Sequence, residues 1–288
     1  MLFQNNAAEA QVPGLVAKLQ AAARAGNQPP LVIAIDQEGG VVKRLPGPPT
    51  RAPSAMRSAA VARAQGIATG RYLRRLGINV DLAPVLDVPE SRRDFIFSRA
   101  FATSPAAVAT TGVAFAQGLG TGGVAATAKH FPGLGRLEQS TDDAPETVHA
   151  SRTALATDLI PFKKAIAVDV PVVMVGTGAY PAYGDDLPAA CSPAIVTRLL
   201  RDTLHFTGVV LSDDLDTAAV SSPTQATVQA VKAGVDMVYI AGVNGSGGDA
   251  IGEQAYRALM RAAKNRTLTH ASLVASYSRI VAFKRRYG

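Results

Sequence analysis

Three clusters of polar residues that could do chemistry each follow a short apolar run in this 288-residue sequence. Asp36 comes after the first of these runs, Lys129 and His130 come after the second, and Asp213 comes after the third. A carboxylate can act as a nucleophile or stabilise a developing positive charge. Lys and His side chains can donate hydrogen bonds to hydroxyl groups. One such cluster could arise by chance, but three at the ends of separate runs indicate a binding or catalytic site.

Asp213 is the candidate nucleophile. It ends the run of residues 208–212, and a partly desolvated carboxylate there could attack an anomeric carbon or stabilise an oxocarbenium-like centre. The structural alternative is that Asp213 or Asp214 caps the next helix, because Asp is a favoured N-cap residue. Both can hold if Asp214 or Asp216 provides the cap.

Five further side chains are candidate ligand-binding residues. Asp36 can accept hydrogen bonds from two hydroxyls, and Arg44 and Arg99 offer planar donor forks. Lys129 and His130 add further donors. Each also has a structural interpretation: Asp36 ends a strand before a glycine turn, Arg99 extends its charged end past aromatic neighbours to water, and His130 is a satisfied buried histidine.

Alternating apolar runs and helical patterns predict the elements that position these residues. The six runs have strand length and few charges, as expected for strands that are buried on both faces. They cover residues 31–35, 78–82, 124–128, 172–175, 209–211 and 237–240. Helical spacing covers residues 52–76, 105–119, 154–167, 193–204, 224–233, 250–264 and 271–286.

This order of strands and helices predicts the α/β class, with a (β/α)8 TIM-type barrel as the fold. No linker or charge block divides the chain, so we expect one domain over residues 1–288. Polar clusters at the carboxyl ends of barrel strands are where the active sites of such barrels lie. With Leu2-Phe3 added, the runs number seven rather than eight. The barrel is therefore expected to be irregular or to lack its first strand-helix unit.

Composition narrows the function classes. The net charge is +7, but the basic residues are dispersed and Trp is absent, so no nucleic-acid partner is expected. The four histidines are widely spaced and no cysteine pair is present, so no metal or other cofactor is expected. The glycine-rich residues 242–248 lack the ending of a phosphate-binding loop and are interpreted as a mobile loop.

The sequence gives weaker indications of location. No run of 18 apolar residues could span a membrane, and residues 1–10 lack the features of a signal peptide. We therefore expect a cytoplasmic protein, or a secreted or cell-surface one if the N-terminus is truncated. The single cysteine, Cys191, excludes an internal disulfide. The oligomeric state stays open.

Five motifs in order resemble glycoside hydrolase family 3, specifically its single-domain β-N-acetylglucosaminidases. They cover most of the chain, and their joint match is far more specific than any one of them. The motifs are residues 35–40 (IDQEGG), 79–88 (NVDLAPVLDV), 98–101 (SRAF), 129–133 (KHFPG) and 208–215 (GVVLSDDL).

The resemblance assigns the family's nucleophile to Asp213 and its sugar-binding residues to Asp36, Arg44, Arg99, Lys129 and His130. The chain departs from the family where an Asp-Ser-His triplet supplies the acid/base, because Ser140-Thr141-Asp142 stands there instead. Asp142 is thus the candidate acid/base. An ordinary Asp has a pKa of about 3.9 against about 6.5 for His, so its pKa would need to be raised.

Three consequences of this departure stay open. Asp142 or Asp143 replaces the histidine, the enzyme works best at acid pH or on activated leaving groups, or the protein binds sugar with little hydrolysis. The resemblance implies a retaining exo-β-glycosidase that releases N-acetylglucosamine from peptidoglycan fragments or related oligosaccharides. The alternative is a non-catalytic carbohydrate-binding relative. No residue independently identifies an acetamido pocket.

Overall fold

A six-stranded parallel sheet forms the centre of the protein in the computed structural model, which describes residues 1–2, 8–241 and 248–288. Its strand order is β1-β4-β5-β6-β7-β8, and β2 and β3 form a separate antiparallel hairpin. The strands are β1 (Ala34–Ile35), β2 (Gln37–Gly39), β3 (Val42–Lys43), β4 (Val80–Asp81), β5 (Ala125–Phe131), β6 (Val172–Val175), β7 (Val209–Asp214) and β8 (Met237–Tyr239).

Helices precede, connect and follow the strands of the main sheet. They are α1 (Val12–Ala25), α2 (Ala59–Arg75), α3 (Pro105–Thr121), α4 (Arg152–Asp158), α5 (Ile160–Ala167), α6 (Pro223–Ala233), α7 (Gly248–Lys264) and α8 (His270–Tyr287). Helix α1 precedes β1, and α7 and α8 follow β8. A π-helix, Ala194–Thr203, precedes β7, and short 3-10 helices lie in the connections. Because the strands are parallel, their carboxyl ends meet at one edge of the sheet, and that edge carries the predicted polar clusters.

Helices α2 and α3 pack unusually closely because glycines line their contact. A Cβ atom at Gly66 would lie 2.3 Å from the Phe115 carbonyl oxygen, and one at Gly118 would lie 2.3 Å from the Arg63 carbonyl oxygen. Only glycine permits this approach of two backbones. The close contact holds α2 against α3, and α3 in turn packs against β5.

The predicted α/β class and its parallel strands are confirmed. Each of the six apolar runs overlaps a strand of the main sheet. Every residue of β5 and β6 is buried, which explains why the corresponding runs are apolar without alternation. Leu2 makes a single parallel bridge to Ile35, while Phe3 and residues 242–247, the core of the predicted mobile loop, lie outside the described residues.

Three predicted helices differ from the observed ones. The helix expected from residue 52 begins at Ala59, because the Ser58 side chain accepts a hydrogen bond from the Val61 amide and caps it. The segment 154–167 forms α4 and α5 rather than one helix. Residues 194–203 adopt the π pattern, which apolar periodicity does not distinguish from α. Among the described residues, none of the helices combines the length and apolarity needed to cross a membrane.

Candidate active site

A pocket of about 350 Å³ opens at the carboxyl edge of the sheet. Side chains from β3, β5, β6, β7 and β8 line it, together with side chains from the connections that follow the strands. Asp143, the second candidate to replace the histidine, does not line this pocket. The seven residues that the sequence assigned to the site all do, namely Asp36, Arg44, Arg99, Lys129, His130, Asp142 and Asp213. The structure therefore brings together side chains up to 177 positions apart in the chain, as from Asp36 to Asp213. Their chemical roles remain predictions.

One wall of the pocket is a buried network of ion pairs. The Lys129 Nζ atom lies 2.8 Å from Oδ1 of Asp36 and 2.7 Å from Oε1 of Glu38. Arg99 donates to both carboxylate oxygens of Glu38, at 3.0 Å from Nε and 2.7 Å from Nη2. Arg44 Nη2 lies 3.5 Å from Oδ2 of Asp36. The network fixes the positions of the donors and acceptors that this wall presents.

Glu38 is the centre of the network, although it does not line the pocket. Its side chain is 1% exposed. Burial alone would raise its pKa, but the charges of Lys129 and Arg99 and their hydrogen bonds outweigh burial and hold the pKa of Glu38 at about 2. The same carboxylates act on Lys129, whose pKa is raised although burial opposes this. Both groups are therefore charged throughout the physiological range.

His130 is oriented from both sides of its ring. Its Nδ1 lies 2.7 Å from Oδ2 of Asp87, and its Nε2 lies 3.3 Å from Nη2 of Arg99. Asp87 Oδ1 also accepts from the backbone amides of His130 and Leu134. Arginine can only donate, so this geometry assigns the proton of a neutral His130 to Nδ1 and makes Nε2 an acceptor. In this arrangement His130 positions Arg99 and offers no second ring donor to a ligand.

Another wall of the pocket is acidic. Asp213, Asp214 and Asp216 come from the end of β7 and the loop after it, and Asp142 comes from the long loop after β5. Two backbone hydrogen bonds join these loops, because the Ala218 and Ala219 amides donate to the carbonyls of Asp142 and Thr141, both at 3.2 Å. The loop that carries Asp142 is thus anchored beside the strand that carries Asp213.

Two carboxylic acids on this wall titrate above their ordinary range. Partial burial raises the pKa of Asp142, and the negative charge of Asp213 raises it further, although His130 and Arg99 oppose the shift. Burial raises the pKa of Asp214 to about 6, with the charges of Asp213 and Asp216 adding to the effect. The raised pKa of Asp142 has the direction that a proton donor near neutral pH requires.

The prediction that an aspartate of this cluster caps the following helix is wrong. Ser222 caps α6, since its side chain accepts from the Gln225 amide. Asp214 instead accepts from the amides of Asp216 and Ala241, both at 2.9 Å, and holds two loops together at the pocket. The intervening loop is too long for a strand-end aspartate to reach the helix.

Sequence reasoning assigned no role to several residues of the site. Glu38 and Asp87 act through other side chains, and Thr217 and Tyr239 line the pocket after β7 and in β8. Glu38 and Asp87 lie in the motifs at residues 35–40 and 79–88, so those motifs were the available signal. Among the described residues, no group of three or more His, Cys, Asp or Glu side chains is placed to hold a metal ion.

Comparison with known proteins shows similarity to glycosyl hydrolases over nearly the full length of this chain. The family model described as "Glycosyl hydrolase family 3 N terminal domain" matches residues 1–283. An uncharacterized secreted glycosyl hydrolase from Arthroderma benhamiae is 33% identical over 301 residues, which cover 99% of this chain and 84% of that protein. A beta-hexosaminidase from Stenotrophomonas maltophilia is 35% identical over 255 residues, covering 83% of this chain and 75% of that protein.

The fold is also shared with a solved structure. The glycoside hydrolase family 3 beta-N-acetylglucosaminidase from Paenibacillus sp. str. FPU-7 superposes with a TM-score of 0.93 and 34% sequence identity. The match covers 99% of this chain but 56% of the Paenibacillus chain. The chain thus spans little more than half the length of this structural relative.

Proposed function

Since this chain belongs to glycosyl hydrolase family 3, we propose that it is a retaining exo-β-N-acetylglucosaminidase acting on peptidoglycan fragments or related oligosaccharides. One observation carries the proposal: Asp142 and Asp213 line one pocket, where burial first and then the charge of Asp213 raise the pKa of Asp142. The similarity to a beta-hexosaminidase and to a beta-N-acetylglucosaminidase supports the choice of sugar.

In the first chemical step, an oxygen of Asp213 attacks the anomeric carbon while Asp142 donates its proton to the glycosidic oxygen. The bond from the carbon to the leaving oxygen breaks, and a covalent glycosyl-enzyme forms. In the second step, Asp142, now a carboxylate, takes a proton from water. That water attacks the same carbon, releases Asp213 and leaves the sugar with its original configuration.

The ion-pair wall binds the sugar in this mechanism. Asp36 accepts from sugar hydroxyls, and Arg44, Arg99 and Lys129 donate to them, while His130 contributes by its position against Arg99. Because the network is already formed, these groups need little reorganisation when the substrate binds, and the binding energy is available for orientation.

We further propose that residues 1–288 form one irregular (β/α)8-type domain. The six parallel strands and the Leu2–Ile35 bridge support this proposal. A site at the carboxyl edge, built from successive strands, is the arrangement of a barrel active site.

The test is hydrolysis of aryl β-glycosides, including N-acetyl-β-glucosaminide and β-glucoside, from about pH 4 to about pH 8. Wild type, Asp213→Asn and Asp142→Asn are compared. We expect Asp213→Asn to abolish turnover. Asp142→Asn should lower kcat by about 10²–10⁴-fold for poor leaving groups and by much less for activated ones.

The alternative from the sequence, a carbohydrate-binding protein without hydrolysis, gives the opposite result. Folded wild type would then bind N-acetylglucosamine without turning over any glycoside, and Asp213→Asn would change only affinity. If Asp142→Asn lowered kcat by the same factor for poor and for activated leaving groups, Asp142 would be excluded as the acid/base. The role of Asp213 as nucleophile would not be affected by that result.

A further inference from the structure

Three helices carry all of the excess positive charge of the chain. Helices α1, α2 and α8 contain ten of the 29 Lys and Arg residues and none of the 22 Asp and Glu residues. The rest of the chain therefore holds 19 cations against 22 carboxylates, a net charge of −3. Basic residues that are dispersed in the sequence are thus concentrated in one part of the fold.

The C-terminal ends of these three helices meet at the amino edge of the main sheet. Arg74, near the end of α2, donates from Nη1 to the carbonyl of Tyr287 at the end of α8, at 3.2 Å. A Cβ atom at Gly288 would lie 2.6 Å from Pro30, which follows the end of α1 by five residues. We call α8 and the C-terminal turns of α1 and α2 the basic floor. Its exposed cations are Arg24, Arg71, Arg74, Arg75, Arg285 and Arg286.

Helix α8 lies across the amino edge with its outer side in solvent. Arg279 pairs with Asp236, which directly precedes β8. One turn further on, Phe283 packs under Val172 and Val209, the first residues of β6 and β7. Phe283 is the single buried residue among the 18 of α8, whereas the 17-residue helix α3 buries ten. The proposed sugar pocket opens at the opposite edge of the sheet.

Apolar side chains on the outer side of α8 are left without cover. Val274 is 47% exposed, Tyr277 is 65% exposed, and Val281 is partly exposed. Their spacing of three and four residues places them on one side of the helix, and Arg285 follows four residues later. Exposed apolar and basic side chains together are typical of helices that lie on an anionic membrane surface.

The helix dipole does not account for this charge pattern. It favours cations in the last turn of a helix and carboxylates in the first turn. The three helices have cations in their last turns but no carboxylate in their first turns. Two exposed side-chain carboxylates lie in the segments that lead into strands at this edge, Asp169 before β6 and Asp202 before β7. With the terminal carboxylate of Gly288 they number three, against six exposed cations of the basic floor.

We infer that the basic floor is a docking surface for an anionic lipid membrane. Its arginines pair with lipid phosphates, while Val274 and Tyr277 enter the interfacial layer of the bilayer. A membrane matches the surface better than a nucleic acid does, because exposed apolar side chains gain from burial among lipids and not from contact with phosphates. A docked molecule directs its sugar pocket away from the lipid, because the pocket opens at the other edge of the sheet.

Sedimentation of the protein with lipid vesicles tests the inference. Vesicles of phosphatidylcholine alone are compared with vesicles that contain about 30% phosphatidylglycerol, at low and at high salt. At low salt, we expect binding to the phosphatidylglycerol vesicles to be at least about tenfold tighter than to the neutral ones. High salt should abolish most of this difference, because it screens the charges.

A triple variant identifies the surface that binds. Each basic residue near an anionic membrane contributes about fivefold to partitioning, so removal of three should weaken binding about 100-fold. The variant is Arg71→Gln, Arg75→Gln and Arg285→Gln. These side chains are exposed, so the urea denaturation midpoint of the variant should stay close to that of wild type.

A matched triple variant removes the same charge elsewhere. Its three arginines are exposed in the connections that follow β3 and β4, and none of them lines the sugar pocket. The changes are Arg51→Gln, Arg57→Gln and Arg93→Gln. We expect this control to keep most of the vesicle binding of wild type.

The apolar contribution has its own pair of variants. Tyr277→Ser should weaken binding to phosphatidylglycerol vesicles severalfold, because the side chain can no longer enter the lipid interface. Tyr256→Ser is the control, since Tyr256 is 60% exposed but lies on α7, outside the basic floor. It should bind as wild type does.

Equal binding to both kinds of vesicle, or binding to neither, would overturn the inference. Equal losses in the two triple variants would also overturn it. Tighter binding to a DNA duplex than to the vesicles, lost in the variant with Arg285→Gln, would assign the basic floor to nucleic acid instead. None of these measurements depends on hydrolysis, so their outcome is independent of the proposed function.

Discussion

Asp142 titrates in the electric field of Asp213, and this coupling can be measured directly. Because the charge of Asp213 contributes to the raised pKa of Asp142, Asp213→Asn should lower that pKa, while burial should keep it above the ordinary value. NMR titration of the Asp142 carboxyl in both proteins checks this. The matched control is Asp186→Asn, which removes an exposed carboxylate that does not line the pocket. An unchanged Asp142 pKa in Asp213→Asn would mean that the two side chains do not face each other.

Glu38 illustrates a residue that supports a site without lining its pocket. In Glu38→Gln, Lys129 and Arg99 lose their shared buried carboxylate, and breaking a buried pair typically costs about 3–5 kcal/mol. We expect a loss of unfolding free energy near the lower end of that range, because Gln retains hydrogen-bonding groups. Urea denaturation measures the loss.

The control for Glu38→Gln is the same substitution at Glu138, which is exposed. Surface changes of this kind usually alter unfolding free energy by no more than about 0.5 kcal/mol. If both variants lost equal stability, the ion-pair wall would not be the structure that Glu38 maintains.

At this scale the sequence predicted which residues meet but not how they are connected. Asp36 directly follows β1, and Lys129 and Asp213 lie near the carboxyl ends of β5 and β7. Parallel strands end at the same edge, so the meeting of these residues follows from topology. The pairing of Glu38 with Arg99 depends on side-chain directions in a hairpin and a 3-10 helix, 61 positions apart. Neither apolar periodicity nor motif spacing contains that information.

The close contact of α2 with α3 gives a prediction at the scale of elements. Gly118→Ala would bring a Cβ within 2.3 Å of the Arg63 carbonyl oxygen, and backbone cannot yield as a flexible side chain can. Overpacking of this kind costs about 1–3 kcal/mol, so the variant should unfold at lower urea concentration.

The same helix supplies the control. Gly120 also lies in α3, but a Cβ there has no atom within 4 Å. Gly120→Ala should be neutral or stabilise the protein by up to about 1 kcal/mol, because alanine has the higher helix propensity. Destabilisation of equal size in both variants would show that the helix interior, rather than the contact with α2, is sensitive to substitution.

The elements themselves show where local patterns suffice. The strand predicted over residues 172–175 has the same first and last residues as β6. A buried parallel strand needs an uninterrupted apolar stretch, so the pattern marks its ends. The start of α2 was missed by seven residues, because Pro53 begins a 3-10 turn and Ser58 provides the cap. Apolar spacing marks the face of a helix more reliably than its first residue.

For the molecule as a whole, carboxyl groups whose pKa values are shifted in opposite directions make the stability change with pH in opposite directions. The pKa of Glu38 is lowered to about 2 from a usual value of 4.5, so its contribution to stability is present above about pH 4.5 and is lost as pH falls towards 2. Asp214, with a pKa raised to about 6 from 3.8, acts in the opposite direction between those values. A third carboxyl, that of Asp81, has a raised pKa whose effect extends across the range from about pH 6 to about pH 8.

Asp81 is fully buried in β4, and burial raises its pKa to about 8, with the charges of Asp36 and Glu38 adding to the rise and Lys129 and the Gln37 amide opposing it. Between pH 3.8 and about 8 the folded protein therefore holds a proton that the unfolded chain has released. The free energy of unfolding should fall as pH rises through this window, by up to about 1.4 kcal/mol per pH unit.

Asp81→Asn keeps an acceptor for the Gln37 amide and cannot ionise, so its unfolding free energy should decline less than that of wild type between about pH 6 and 8. Urea denaturation at intervals across that range measures both slopes. Parallel slopes would mean that Asp81 is ionised in the folded protein, and that the charge of Lys129 compensates its burial.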